Sequence, residues 1–324
     1  MGEFEFIETI RRAFLEVGDG AITGVGDDCA VLPAGDGGAM VVTTDMLTEG
    51  VHFLRAEPGS ERELPEARQL GAKALAVNLS DVAAMGARPV ASLLSIALPP
   101  VCRGRWADEF MDGYRELSER HGVKLAGGDT TASKGGVAIN VTAIGRAPLS
   151  LLKYRSGARE GDIVAVNGPL GESAAGLADI LAGRHDTPPA RIHRNPTPQV
   201  AEGEWLGTRP EVRSMIDLSD GLASDLLHIL RSSGRNAEGG LGAEIELTAI
   251  PTPVSAELAV TGGEDYKLLL TVAPEAWSRL AEDYLARFGT PLRAVGRVTA
   301  GPPEIAWLDG GEPVAKNLRG FVHF

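Results

Sequence analysis

The sequence has little cysteine, few aromatic residues and no long apolar segment. Two of its 324 residues are cysteines, Cys29 and Cys102. Two thiols cannot build a disulfide framework, so we expect a reducing compartment. The best apolar run, residues 89–101, contains two serines and is shorter than the roughly 18 apolar residues of a transmembrane helix. We therefore predict neither a disulfide scaffold nor a membrane partner.

Basic residues are also scarce relative to acids. The chain has 31 Lys and Arg against 44 Asp and Glu, a net charge of −13. Nucleic-acid binding needs a basic face, so we do not expect that partner. Three acids, Glu3, Glu5 and Glu8, occupy the place of the basic segment of a signal peptide. The expected location is the cytoplasm.

Helical and strand-like patterns alternate along the whole chain, which predicts an α/β or α+β layered fold. The predicted helices cover residues 4–17, 63–86, 106–121, 171–182, 220–233 and 274–288. The predicted strands cover residues 39–44, 90–98, 123–126, 137–146, 162–167, 213–217, 243–247, 267–272 and 293–298.

The length of the chain suggests two domains, at about 100–200 residues per domain. The composition shifts near Pro148, and we place the boundary there, between residues 1–148 and 149–324. Residues 184–198 contain four prolines. We predict that this segment is a surface connection.

Aspartates follow the ends of several predicted strands. They are found in the segments GVGDD, VVTTD, LAGGD, IDLSD and, inside a predicted helix, NLSD. Strand ends in layered α/β folds converge on one functional edge, so we expect these carboxylates to share a site. The alternative for any single aspartate is a turn or a helix cap, and Asp220 precedes a predicted helix.

A shared carboxylate site needs a counter-charge. Two carboxylates ~4 Å apart repel by about 4 kcal/mol at an effective dielectric constant near 20. Mg²⁺ prefers carboxylate and hydroxyl oxygens, and the hydroxyls of Thr43, Thr44 and Ser219 are close in sequence. No Cys/His spacing favours a softer metal, and no Walker P-loop is present. His52 and Arg146 could contact phosphate, with structural roles as the alternative.

Eight segments, in order along the chain, resemble the thiamine-monophosphate kinase family of the PurM-like ATP-binding superfamily. They are GVGDDCAV, TTDMLTEGVHF, KALAVNLSDVAAMGARP, LAGGDTT, RSGAREGD, IDLSDGLASDL, TGGEDYKLLL and GFVHF. The resemblance implies a PurM-like two-domain fold, with an N-terminal sheet domain that dimerises and a C-terminal α/β domain. The active site would lie in the cleft between them.

The resemblance also implies an activity, the last step of thiamine diphosphate synthesis. ATP would donate its γ-phosphoryl group directly to thiamine monophosphate, with several Mg²⁺ ions and no covalent nucleophile, in a homodimer. The implied metal ligands are Asp28, Thr43, Thr44, Asp45, Asp81, Asp129, Asp217 and Asp220. The implied nucleotide contacts are Gly128, Asp129, Arg146 and Ser219, and the implied substrate contacts are His52, Glu264 and Phe321.

Two alternatives remain open at this point. One is another PurM-like ATP enzyme, of the aminoimidazole ribonucleotide synthetase or selenophosphate synthetase type. The latter would need a reactive cysteine in an N-terminal glycine-rich segment, whereas Cys29 lies within the GDD turn. The other alternative is a non-catalytic acidic metal-binding protein.

Overall fold

The computed structural model describes residues 2–14, 22–235, 237–315, 318 and 320. The first part of the chain contains one five-stranded sheet in the order β1-β2-β5-β3-β4. Its elements are α1 (Glu3–Phe14), β1 (Ala30–Pro33), β2 (Gly38–Thr48), α2 (Glu63–Ala84), β3 (Arg88–Leu98), α3 (Arg105–His121), β4 (Lys124–Ala132) and β5 (Ala138–Pro148). The strands pair in antiparallel fashion except for β3 and β4, which are parallel.

The second part contains a seven-stranded sheet in the order β12-β11-β8-β10-β6-β9-β7. Its helices are α4 (Glu172–Leu181), α5 (Pro188–Arg194), α6 (Val200–Gly207), α7 (Leu222–Gly234), α8 (Ala256–Thr261) and α9 (Trp277–Phe288). Its strands are β6 (Ile163–Val166), β7 (Val212–Asp217), β8 (Leu241–Glu246), β9 (Leu268–Val272), β10 (Arg293–Ala300), β11 (Ile305–Asp309) and β12 (Glu312–Pro313).

Helix α2 is the central element of the fold. It is rich in alanine and is apolar around most of its circumference, as expected of a buried helix. Its contact with α3 depends on two glycines, because a Cβ at Gly71 would lie 1.9 Å from the carbonyl oxygen of Phe110 and one at Gly113 1.8 Å from that of Arg68. On its other side Gly203 of α6 faces Ala83 in a similarly close approach. Helix α2 therefore packs closely, backbone against backbone, on α3 of the first part and on α6 of the second, and larger residues would not fit at these glycines.

The predicted fold class is confirmed, since strands and helices mix in both parts of the chain. The prediction for residues 184–198 was wrong in part, because Pro188 begins α5. The Thr187 hydroxyl accepts a hydrogen bond from the backbone N–H of Ala190 and caps this helix. Proline is tolerated in the first helical turn, where its missing N–H would have no partner.

Other differences concern element ends and short elements. Strand β4 continues to Ala132, well beyond the predicted end at Ala126. Strands β1, β11 and β12 and helices α6 and α8 were not predicted. The first helix was predicted to run to residue 17, and residues 15–17 lie outside the described part. Within the described residues, no helix is both long and apolar enough to cross a membrane.

Candidate active site

Three carboxylates from distant parts of the sequence meet at the centre of the molecule. Asp28 lies just before β1, Asp81 lies in α2, and Asp217 ends β7. One carboxylate oxygen from each lies within 4.8 Å of those of the other two. We call these three residues the carboxylate cluster. The three aspartates that the sequence singled out thus lie together, although only Asp217 stands at the end of a strand.

Strand β2 adds two further predicted ligands beside the cluster. Thr43 donates its hydroxyl hydrogen to Asp81 Oδ2 at 2.5 Å. Asp45 lies two residues further along, so its side chain lies on the same face of the strand. Its backbone N–H donates to Asn78 of α2 at 3.1 Å. Burial, and then the charges of Asp28 and Asp220, raise the pKa of Asp45 to about 6.

The cluster carries unfavourable negative charge in the absence of a cation. Burial raises the pKa of Asp217 to about 8, and the neighbouring charge of Asp28 adds to this effect. Burial also raises the pKa of Asp81 and of Asp28. The guanidinium of Arg155 opposes the rise at Asp28, which it contacts at 2.5 Å. Without a cation, Asp217 would therefore tend to retain its proton at neutral pH.

The cluster fits a hard divalent cation. Asp28 Oδ2 and Asp217 Oδ2 are both buried and have no hydrogen-bond partner within the described residues. Buried polar atoms are nearly always paired, so two orphaned carboxylate oxygens at one site indicate a ligand. All the donors are oxygens, which is the donor set that Mg²⁺ prefers. The candidate ligand set therefore agrees with the predicted metal.

We expect the stability of the metal-free protein to fall as pH rises from about 5 to 8. Asp217 has a pKa of about 8 in the fold against an ordinary value of 3.8. The folded state therefore binds more protons in this window, and deprotonation destabilises it. The unfolding temperature in EDTA, measured at about pH 5 and about pH 8, tests this loss of stability, and Asp217→Asn should reduce the difference between the two temperatures. An unfolding temperature that rises across this window in EDTA would contradict the assignment.

A cavity of about 670 Å³ opens beside the cluster. Its lining includes Asp45, Asp81, Asp217, Ser219 and Asp220, and also His52 and Glu264. A smaller cavity of about 350 Å³ adjoins it and shares His52, His193 and Glu264. We call them the large and the small cavity. Five predicted metal or nucleotide contacts, from β2, α2 and the end of β7 with the residues after it, thus line one cavity together with two predicted substrate contacts.

Asp220 belongs to a second group of polar side chains. A carboxylate oxygen of Asp220 lies within 4.8 Å of a carboxylate oxygen of Asp225 and of a ring nitrogen of His228, both in α7. The backbone N–H of Asp220 donates to Asp225 Oδ2 at 3.2 Å. Asp225 and His228 were not predicted as site residues, although they lie only five and eight residues beyond Asp220.

Glu264 is held by two residues that were not predicted as site residues, Lys73 and His193. Lys73 Nζ lies 2.8 Å from its Oε1, and His193 Nδ1 lies 3.3 Å from its Oε2. Its backbone has φ of +63°, which is unusual for a residue other than glycine. Its N–H donates to the carbonyl oxygen of Ser219 at 2.8 Å. The GGEDY segment is therefore pinned against the segment that carries Asp217 and Asp220.

Four predicted site residues lie away from the cluster: Thr44, Gly128, Asp129 and Arg146. The Thr44 hydroxyl contacts Asn140 and Thr142 on β5, on the face of the sheet opposite to α2. Arg146 pairs with Met40 and is exposed on that same face. We call it the open face. The Thr44 hydroxyl therefore does not join the cluster of its own chain, because neighbouring residues of a strand point to opposite sides.

Asp129 also lies on the open face, and it is distant from the cluster as well. It pairs with Ser95, which pairs with Asn140, which in turn pairs with Met46 of β2. Three strand spacings separate β4 from β2, about 14 Å. One chain therefore cannot bring Asp129 and Asp45 onto the same ion. Gly128 lies beside Asp129 on the same edge strand, and Phe321 lies outside the described residues.

The chain is similar to a protein-family model and to curated enzymes. The family model described as "AIR synthase related protein, N-terminal domain" matches residues 26–147. The thiamine-monophosphate kinase of Escherichia coli strain K12 is 36% identical to this chain, and the alignment covers 100% of this chain and 98% of that enzyme. The same enzyme of Haemophilus influenzae is also 36% identical, with 100% and 98% coverage.

A solved structure has a similar fold over the whole chain. It is described as AaThiL complexed with AMPPCP and TMP, with a TM-score of 0.81, 28% identity, and coverage of 100% of this chain and 97% of that one. Full-length similarity to named kinases disfavours both alternatives raised from the sequence. The chain belongs to the thiamine-monophosphate kinase family, and it is a kinase.

Proposed function

We propose that the protein transfers the γ-phosphoryl group of ATP to thiamine monophosphate, giving thiamine diphosphate and ADP. The observation that carries the proposal is the carboxylate cluster, open to a cavity whose wall also holds His52 and Glu264. Phosphoryl transfer depends on positioning and charge neutralisation more than on covalent chemistry. Family membership and the substrates named for AaThiL support the same reaction.

The proposal includes Mg²⁺ at the cluster. Asp28, Asp81 and Asp217 would hold it, with Thr43, Asp45 and Asp220 adjoining. Bound there, Mg²⁺ would neutralise the charge of the donor and acceptor phosphates. The phosphate end of the substrate would then lie in the large cavity near the cluster, with Ser219 beside the nucleotide. We propose direct transfer to the acceptor phosphate, without a covalent intermediate on the protein.

A second copy of the chain would complete the site. Thr44, Gly128, Asp129 and Arg146 lie on the open face or on edge strand β4, away from the cluster of their own chain. Every residue of β4 is exposed, which is typical of an edge strand that a partner covers. We propose that the N-terminal sheets pair in a homodimer and that these residues serve the partner's site.

The division of the chain into two domains at Pro148 and the cytoplasmic location remain predictions.

The acceptor tests the proposed reaction. We expect the protein to convert thiamine monophosphate to thiamine diphosphate and to leave free thiamine unphosphorylated. Free thiamine lacks the anion that the site would hold, and a misplacement of about 1 Å can cost roughly a hundredfold in rate. Chromatography of the products from each acceptor, with ATP and Mg²⁺, measures this. Efficient phosphorylation of free thiamine would contradict the proposal.

A further inference from the structure

Glu264 stands where the two cavities meet, and its carboxylate is not free to move. It lines both cavities, and its side chain retains 24% exposure. Its positive φ is maintained by the backbone hydrogen bond to Ser219. The next residue, Asp265, is also fixed, because its carboxylate accepts hydrogen bonds from the backbone N–H groups of Gly171 and Ser173. A backbone held in a sparsely populated conformation at a cavity wall indicates a functional constraint.

Lys73 presents a buried cation to this carboxylate. Its side chain is 2% exposed, although it belongs to the apolar helix α2. Its Nζ lies 2.8 Å from Glu264 Oε1 and donates to the carbonyl oxygen of His52 at 3.3 Å. A buried ammonium group without a partner is costly, so this contact fixes both residues.

His193 fixes the second oxygen of the same carboxylate. Its Nδ1 lies 3.3 Å from Glu264 Oε2 and 3.0 Å from the hydroxyl of Ser173. Burial, and then the charge of Lys73, lower the pKa of His193 to about 4. The ring is therefore neutral at physiological pH, and Lys73 supplies the balancing charge.

We propose that Lys73 and His193 are positioning residues that make Glu264 a hydrogen-bond acceptor for an uncharged N–H group of the substrate, rather than a counter-ion for its thiazolium cation. The inference rests on the proposed function. A second cation beside Glu264 would be repelled by Lys73. In thiamine monophosphate the aminopyrimidine ring is the group furthest from the phosphate. With the phosphate at the cluster, its amino group would reach the small cavity, where Glu264 accepts from it.

A double-mutant cycle tests the proposal. We expect Lys73→Met and Glu264→Gln each to raise KM for thiamine monophosphate about 10- to 100-fold, with little change in kcat or in KM for ATP. If Lys73 acts through Glu264, the double variant should be no worse than Glu264→Gln alone, within about twofold. Lys73→Arg should recover part of the loss. Lys153→Met is the matched control, because Lys153 is also buried but donates to the carbonyl oxygens of Arg209 and Val212, away from both cavities.

A substrate analogue gives an independent readout. Oxythiamine monophosphate carries an oxo group where thiamine monophosphate carries the amino group. Wild type should discriminate against it, and Glu264→Gln, which can donate to the oxo group, should reduce that discrimination at least tenfold, roughly the effect of one hydrogen bond to a charged group. Strictly additive effects of Lys73→Met and Glu264→Gln, or unchanged discrimination in Glu264→Gln, would overturn the inference while leaving the proposed reaction intact. Absence of turnover of thiamine monophosphate by wild type would overturn both.

Discussion

Replacing Asp217 by Asn should reduce kcat by about 10²- to 10³-fold, the effect of losing one strong electrostatic stabiliser. Chelation of divalent cations should abolish activity, and added Mg²⁺ should restore it. Asp217 Oδ2 is buried, has no hydrogen-bond partner within the described residues, and lies within 4.8 Å of ligand oxygens of Asp28 and Asp81. Asn keeps the shape of the side chain but removes the charge that would hold the cation.

The measurement is ADP release in EDTA, followed by titration with Mg²⁺. Asp309→Asn serves as the control, because Asp309 is an exposed carboxylate at the end of β11. It should retain wild-type activity and the same Mg²⁺ requirement. Full activity in excess EDTA would contradict the metal assignment, and so would an Asp217→Asn variant with unchanged kcat.

The sequence singled out the three aspartates of the cluster because each lies in a recognisable segment, GVGDD, NLSD or IDLSD. It did not predict which side of a strand each residue faces. Thr43 and Thr44 are adjacent and were assigned the same role, yet Thr43 contacts Asp81 whereas Thr44 lies on the open face. The two-residue period of β-strands determines this, once one face is known to be covered by α2.

Strand order limited the prediction for Asp129. Its segment follows a predicted strand in the same way as those of Asp45 and Asp217, so nothing local distinguishes it. Only the order β1-β2-β5-β3-β4 shows that β4 is an edge strand, three strands from β2. Strand order arises from pairing between distant segments, which one sequence does not reveal.

The buried charges of Lys73 and Arg155 were not predicted, for a related reason. In a sequence, Lys73 and Arg155 resemble exposed residues, because their partners lie about 190 and 130 positions away, at Glu264 and Asp28. For Lys73 one signal was available. It stands alone as a basic residue within an otherwise apolar stretch of α2, and a lysine surrounded by alanine and leucine is expected to have a buried partner.

Heterodimers carrying Asp129→Asn in one chain and Asp217→Asn in the other should recover about half of the wild-type activity per dimer, although each homodimeric variant should be nearly inactive. If each site combines Asp217 of one chain with Asp129 of the partner, such a heterodimer has one intact site. The other site carries both substitutions. The two chains would be co-expressed with different affinity tags, purified through both tags, and checked as dimers by light scattering.

The reciprocal heterodimer makes the test decisive. It pairs wild type with a chain that carries both Asp129→Asn and Asp217→Asn. If the partner supplies Asp129, each of its sites has one substitution and the dimer should be nearly inactive. If Asp129 serves its own chain, this reciprocal heterodimer keeps one intact site and the first heterodimer keeps none. The reciprocal heterodimer would then be active and the first one nearly inactive. Because Asp129 lies about 14 Å from β2 and on the open face of the sheet, we expect the first heterodimer to be the active one.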